Sequence, residues 1–447
     1  MRRLILVLAA LCVSSAVAAE STAFINVNVI AMTDESVLAQ QTVIVRDGAI
    51  VQIGHVDEVP LPEDISVIDG TDRYLIPGLA EMHAHVPAAD APELRQYFTL
   101  FVANGVTTLR GMLGRPSHLA LREELREGKR FGPRLITSGP SLNGRSVSGP
   151  ANGAQQVRDQ HAAGYDFIKI HPGLDAGEFA AIAKAANELG MPFAGHVPAA
   201  VGVESAVAQG IATIDHLDGY MAALLPANFD RSGGYGGFFD VLLANQADMS
   251  QLPGIVAATA AAGTWNVPTQ SLIEQLINEV PADELRDRAD MLYVSERTVD
   301  RWVEAKQDQL RERGFSPDVA ARAIEIRRAI IFELHKANGR ILLGSDAPQI
   351  FNVPGFSLHH ELEYLVASGL TPFEALQTGT TNVAEFLQIN TGAVEVGRDA
   401  DLVLLDANPL DDIGNTRRIH GVMARGEWHS RADLEQRLEE FRRPNGS

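Results

Sequence analysis

With 447 residues, the chain has room for about two or three domains, or for one large barrel with an appendage, at roughly 150 residues per domain. Hydrophobic residues at 46% and charged residues at 21% can bury a large core, which excludes a largely disordered chain. A net charge of -20, from 37 basic and 57 acidic residues, argues against nucleic acid as a partner, and a single cysteine, Cys12, excludes a disulfide scaffold and a cysteine-ligated zinc site.

The segment 1–19 reads as a secretory signal peptide. Arg2 and Arg3 precede an apolar run over 4–13, and small residues lead to Ala16-Val17-Ala18-Ala19, an A-x-A-like cleavage site. The run is short for a membrane span, so the expectation is a periplasmic or secreted chain, cleaved near Ala18-Ala19, with no stable membrane anchor. Alternating strand signals follow at 24–30 and 42–46, and Asp47-Gly48 turns the chain into a third at 49–54. Matching signals return at 400–406 and 420–428.

Between these ends, eight short apolar runs stop at polar or glycine residues: 79–86, 106–112, 134–139, 166–171, 192–197, 213–217, 265–270 and 341–346. Helical patterns separate most of them, for example over 176–189 and 203–209. The rhythm predicts a TIM-like (β/α)8 barrel over 78–388, with a small β-sandwich assembled from 20–77 and 389–436 and a tail at 437–447. An open doubly wound sheet is the competing architecture, but no glycine-rich dinucleotide fingerprint follows an early strand. The charged helical stretch 281–336 reads as an elaboration before the last strand, and the glycine-rich stretch 232–237 as a loop that could serve as a lid.

Several of the eight runs end in residues able to carry chemistry. His83 and His85 are two apart, so on a strand both imidazoles face one way, as a bidentate metal grip requires or as a structural pair allows. Lys169 interrupts the apolar Phe167-Ile168-Lys169-Ile170. There an ammonium must be ion-paired, or the neutral amine must react with CO2 to give a carbamate able to bridge two metals. His196, His216 and Asp346 each stand at or just past the end of a run. Four histidines, one lysine and one aspartate at the same end of five of the predicted strands point to the face where barrel enzymes place catalysis.

These residues, in this order, resemble the amidohydrolase superfamily, in its imidazolonepropionase- and Xaa-dipeptidase-like branch. The marks are Ile76-Pro77-Gly78-Leu79 leading to His83-Ala84-His85, Gly105-Val106-Thr107-Thr108-Leu109-Arg110, Gly132-Pro133-Arg134, Gly195-His196-Val197, Asp215-His216, Gly344-Ser345-Asp346-Ala347 and Gly397-Arg398-Asp399-Ala400-Asp401-Leu402-Val403. The resemblance implies an enzyme that hydrolyses a carbon–nitrogen bond, in a small peptide or N-acyl amino acid. It implies His83, His85 and Asp346 on one divalent metal, His196 and His216 on a second, and carboxylated Lys169 between them. Zinc suits the donors best. A hydroxide between the metals would attack the carbonyl, and Asp346 would shuttle the proton to the leaving nitrogen.

Three departures from the family pattern stand out. Glu81 replaces the usual Asp, Asp215 an often-found Glu, and His171 a Tyr found in several dipeptidase-like relatives. The last bears on substrate choice. Arg110, His171 and Tyr220 are the expected substrate contacts, with Trp265 and Asn266 near the pocket. His118, His161 and His335 read as solvated, and His359 as a helix-surface or supporting residue. The same site could serve a lactone, a cyclic amide or a phosphoester. A rival of another class is a metal-free exported binding or scaffold protein. The expected partner is a small molecule, with a homo-oligomer possible.

Overall fold

The computed structural model describes residues 21–229, 236–337 and 340–443. The signal segment 1–19, Cys12 and most of the 232–237 stretch lie outside the described residues.

Five strands open the chain: β1 Ser21–Val29, β2 Leu38–Arg46, β3 Ala49–His55, β4 Ser66–Asp69 and β5 Tyr74–Pro77. Asp47 and Gly48 take φ of 53° and 76°, the left-handed pair that a two-residue hairpin turn demands, and β2 and β3 pair antiparallel around them.

The centre alternates strand and helix. β6 Leu79–Ala84, β7 Val106–Gly111 and β8 Arg134–Thr137 form one parallel sheet; β9 Ile168–Ile170, β10 Phe193–Gly195, β11 Thr213–Asp215 and β12 Trp265–Val267 form another. Isolated parallel bridges join them at both sides. Ser138 meets Phe167, and the run after Arg340 is held between Asn266, bridged to Ile341, and Ala84, bridged to Ala347. The eighth predicted run therefore lies in line but is not a continuous strand. Seven of the predicted runs are strands, and each strand stops short of its apolar run. At three run ends the chain turns, with His216, Thr269 and Asp346 at φ of 64°, 46° and 62°. Left-handed backbone cannot continue a strand.

Helices connect these strands, among them Ala176–Leu189, which starts at an Asp175–Glu178 capping box. The 281–336 stretch is helical as expected, chiefly Glu296–Arg311 and Pro317–Lys336. No helix among the described residues is long and apolar enough to cross a membrane.

β13 Leu402–Leu405, β14 Ile419–Ala424 and β15 Glu427–Ser430 return to the first sheet. β13 pairs antiparallel with β5, placing Leu405 opposite Tyr74, and the order becomes β15-β14-β13-β5-β1-β2-β3, with β4 also on β1. The two ends of the chain thus share one eight-stranded sheet, with its own apolar cluster around Phe24, Val43, Leu402 and Met423. The molecule is a mixed α/β fold.

Candidate metal centre

Parallel register decides which side chains meet. Ala194 lies opposite Lys169, Ala194 also opposite Thr213, and Asp215 opposite Val267, so the C-terminal ends of β9 to β12 form one rim. His196 and His216 directly follow β10 and β11. His83 is on β6, His85 just beyond it, and Asp346 lies beside them, because the Met82 and His85 N–H groups donate to Leu343 and Ala347 carbonyls.

Asp346 Oδ1 lies 3.2 Å from His85 Nε2 and 3.6 Å from His83 Nε2, and one ligand atom from each of the three falls within 4.8 Å of the others. The His216 ring centroid is 4.5 Å from that of His83 and 4.7 Å from that of His196. Its Nδ1 is 3.7 Å from Asp346 Oδ2. Lys169 Nζ is 3.7 Å from Asp215 Oδ2, whose own distance to His83 Nδ1 is 2.9 Å. The structure therefore brings together all six residues expected to hold metal.

Burial governs their charge. It holds the imidazoles of His83 and His216 well below the usual range and takes His85 to about 4, with Lys169 adding to the effect at each. Neutral imidazole is the form that ligates metal. Burial also lowers the Lys169 ammonium against the pull of Asp215 and Asp346, and raises the Asp346 carboxyl against the pull of Lys169. Burial works against the Asp215 carboxylate too, but Arg110 and Lys169 hold it below its ordinary value.

Five buried atoms here make no hydrogen bond: His83 Nδ1 and Nε2, His85 Nε2, Lys169 Nζ and Asp346 Oδ1. Leaving a buried polar group unpaired costs about 1–3 kcal/mol, so five in one cluster mark a place where a ligand supplies the missing partner. Two further imidazole nitrogens have partners. His196 Nδ1 donates to Asp218 at 2.9 Å, and His216 Nδ1 is 2.9 Å from Thr269 Oγ1. Such outer partners fix the tautomer and turn Nε2 toward a metal. The nitrogen and carboxylate donors fit a divalent ion such as zinc. Room for the lysine comes from Gly195, at φ 125°. A Cβ there would stand 2.9 Å from Lys169 Nζ and 2.5 Å from the Ile170 carbonyl.

Two expected substrate contacts stand elsewhere. Arg110 is buried, and its guanidinium donates to the Met82 carbonyl at 2.6 Å, Thr213 Oγ1 at 3.2 Å and Asp215 Oδ1 at 3.2 Å. It sits on the core side of Asp215, where a substrate carboxylate would find it already engaged. Tyr220 is buried as well, its hydroxyl 2.9 Å from Asn266 Oδ1, to which it donates, and 3.1 Å from Thr259 Oγ1. His171 is half-buried. Its ring is 5.1 Å from that of His196, and it lines a recess of about 490 Å³ with Asn143 and Arg145. Trp265 packs against Phe386 and beneath Arg340, in the core. His118 is buried against the Pro87 carbonyl rather than solvated, and His335 Nε2 lies 3.0 Å from Glu374 Oε1. Glu81, the departure beside His83, accepts from the His83 and Ser345 N–H groups and from Ser345 Oγ.

Asp218, Thr269 and Arg327 were not singled out from the sequence. Arg327, on helix Pro317–Lys336, donates to the His216 carbonyl at 2.8 Å, the Pro268 carbonyl at 3.0 Å and Gln270 Oε1 at 2.8 Å. For Asp218 the Asp-x-x-Asp spacing from Asp215 was the one available signal.

A model of the amidohydrolase family matches residues 74–429. The chain belongs to the amidohydrolase family. That membership supports a hydrolase acting on amides and a small-molecule substrate. Among solved structures the fold is similar to a bottromycin amidohydrolase, with a TM-score of 0.73 at 23% identity, covering 94% of this chain and 90% of that one. It is similar to a candidate prolidase from Bifidobacterium longum, with a TM-score of 0.68 at 24% identity, covering 94% and 99%. A Xaa-Pro dipeptidase with bound methionine in the active site gives a TM-score of 0.65 at 20% identity, covering 92% and 100%. No curated protein matches the chain by sequence.

Proposed function

We propose that this amidohydrolase is a binuclear metal-dependent enzyme that cleaves the amide bond of a small peptide or N-acyl amino acid. One observation carries the reading: the buried, unpartnered His83 Nε2, His85 Nε2, Lys169 Nζ and Asp346 Oδ1 share one cluster with His216, and His196 adjoins it. In this reading His83, His85 and Asp346 hold one metal, His196 and His216 the other, and Lys169 lies between as its carbamate. The lysine amine adds to CO2 and releases a proton to solvent. Two divalent ions, zinc by donor type, would polarise the substrate carbonyl and make water acidic enough to react.

The chain's own groups do the rest. Asp346, its carboxyl raised by burial, takes the proton from the attacking water and hands it to the leaving nitrogen. Asp218 and Thr269 keep the His196 and His216 rings turned, and Asp215 anchors the His83 side. As part of the same proposal, β6 to β12 and the bridged 341–346 run close into a (β/α)8 barrel. The segment 1–19 directs export to the periplasm or beyond.

Elemental analysis of the mature protein, purified without chelators, tests this. About two divalent metals per chain, and amide hydrolysis lost on chelation and restored by zinc with bicarbonate, are expected. Full activity with no bound metal would overturn it. A 13C signal from a carbamate after incubation with labelled bicarbonate, absent in Lys169→Ala, checks the bridge.

A further inference from the structure

The strongest feature outside the metal cluster is a cavity of about 790 Å³ that begins at His196 and Asp218. Its walls include Val197, Pro198, Val201 and Ala223, and Phe238 and Phe239 close one side. The Phe239 ring lies 4.9 Å from that of His216 and runs parallel to that of His196, 8° between planes, at 6.0 Å. The ring of Phe238 meets it edge-on at 4.4 Å. Phe239 therefore roofs two of the candidate ligands and walls the cavity with the same ring.

The backbone holds that ring at some strain. Phe239 and Asp240 take φ of 51° and 59°, a left-handed conformation that bulky residues rarely adopt. Gly237, at φ 83°, starts the turn, and the Leu242 N–H closes it onto the Gly236 carbonyl at 2.9 Å. A strained conformation held beside a reactive centre is characteristic of functional positions.

The wall chemistry selects a ligand. Among the described residues lining the cavity, none is Lys or Arg, and Glu204 adds a carboxylate to the wall. The Asp218 carboxylate is engaged by His196 Nδ1 and the Val197 N–H. An anionic group would meet no lysine or arginine among these described residues, while an alkyl or aryl group would meet valine, proline, alanine and phenylalanine.

We propose that this cavity is the subsite for a bulky apolar group flanking the scissile amide, and that Phe239 sets its depth. The substrate class is an amide bearing a medium-chain alkyl or an aryl group. This rests on the hydrolase reading above.

Two substrate series with metal-loaded full chain test it, one lengthening the acyl group from acetyl to octanoyl on glycine, the other enlarging the amine of an N-acetyl amide. In one series, kcat/KM should rise about tenfold or more with apolar size. Phe239→Trp should lower the large-to-small ratio of kcat/KM by about tenfold, chiefly through KM, and Phe239→Ala should move the optimum to a longer group. Ala223→Phe, filling the cavity from the helix Tyr220–Ala223, should lower the same ratio with metal content unchanged. Calorimetric titration with octanamide reads the subsite without turnover, and both filling variants should weaken its binding. Equal rates along both series, a preference for a charged group, or octanamide binding unaffected by both variants would overturn the subsite. A wild-type enzyme that binds octanamide but hydrolyses no amide would instead count against the hydrolase reading and leave the subsite standing.

Discussion

His196 Nδ1 and Asp218 Oδ2 stand 2.9 Å apart, and the carboxylate can only accept. The hydrogen is therefore on Nδ1, and Nε2 carries the lone pair. Asp218→Ala removes that constraint. It should weaken the more loosely held metal by about 10- to 100-fold, read by titrating the apo-protein with zinc, while Asp218→Asn, which retains an acceptor, should fall between. Unchanged zinc affinity in Asp218→Ala would remove Asp218 from the site's support.

Arg327 makes a similar connection from farther away. Its guanidinium is buried, and three acceptors, two of them the carbonyls of His216 and Pro268, point at it. Glu361 meets the same loop from the other side, accepting from the Gln270 and Ser271 N–H groups at 2.9 and 2.6 Å. Arg327→Met would leave these acceptors unpaired and Glu361 without its counter-charge. Urea unfolding should register a loss on the order of 3–5 kcal/mol, and Arg327→Lys should recover part of it. A loss below about 0.5 kcal/mol, ordinary for a surface site, would show that the bracket is dispensable.

The candidate cluster was legible in the sequence because its residues ride on strand ends, where apolar runs announce the strands and register does the gathering. His83, Lys169, His196 and His216 needed no knowledge of the loops. Asp218 and Thr269 lie in turns whose left-handed φ values at His216, Leu217 and Thr269 follow from tertiary packing, not from any periodicity. Arg327 is 111 residues from the carbonyl it holds, and its helix pattern marks it simply as one more polar position. Arg110 lies late on its strand Val106–Gly111, and Tyr220 opens the short helix Tyr220–Ala223 rather than ending a strand. Their direction, inward to Asp215 and to Asn266, depends on partners that one strand or helix cannot specify. The last strand was predicted as continuous, yet Asp346 turns out of it, and that turn brings its carboxylate to His85.

Gly195 offers a test of how closely the lysine is fitted. Its φ of 125° is open to glycine and nearly closed to other residues, and a methyl there would press on the Ile170 carbonyl at 2.5 Å and on Lys169 Nζ at 2.9 Å. The backbone oxygen cannot yield as the lysine tip can. Gly195→Ala should therefore cost on the order of 3 kcal/mol in thermal unfolding and reduce metal content as Lys169 is displaced. Wild-type stability with wild-type metal content would mean that β10 shifts freely, contrary to its pairing on both sides with β9 and β11.

His359 predicts part of the acid sensitivity. It is buried on helix Phe356–Ala367, with Nδ1 2.9 Å from Thr416 Oγ1, and that hydroxyl already donates to the Ile413 carbonyl. Burial, then the charges of Arg417 and His360, hold its pKa near 3 against 6.5 for a free imidazole. Between those values the unfolded chain binds a proton that the folded chain refuses, so stability falls as pH drops from about 6.5 toward 3, by at most about 1.4 kcal/mol per pH unit from this group. His359→Gln removes the proton site. It should be less stable than wild type by about 1 kcal/mol near neutral pH, through the weakened Thr416 contact. Chemical unfolding at stepped pH should then show the gap narrowing below about pH 6.5 and reversing in more acidic buffer. A gap that stays constant across that range would mean that His359 takes up its proton without leaving its pocket.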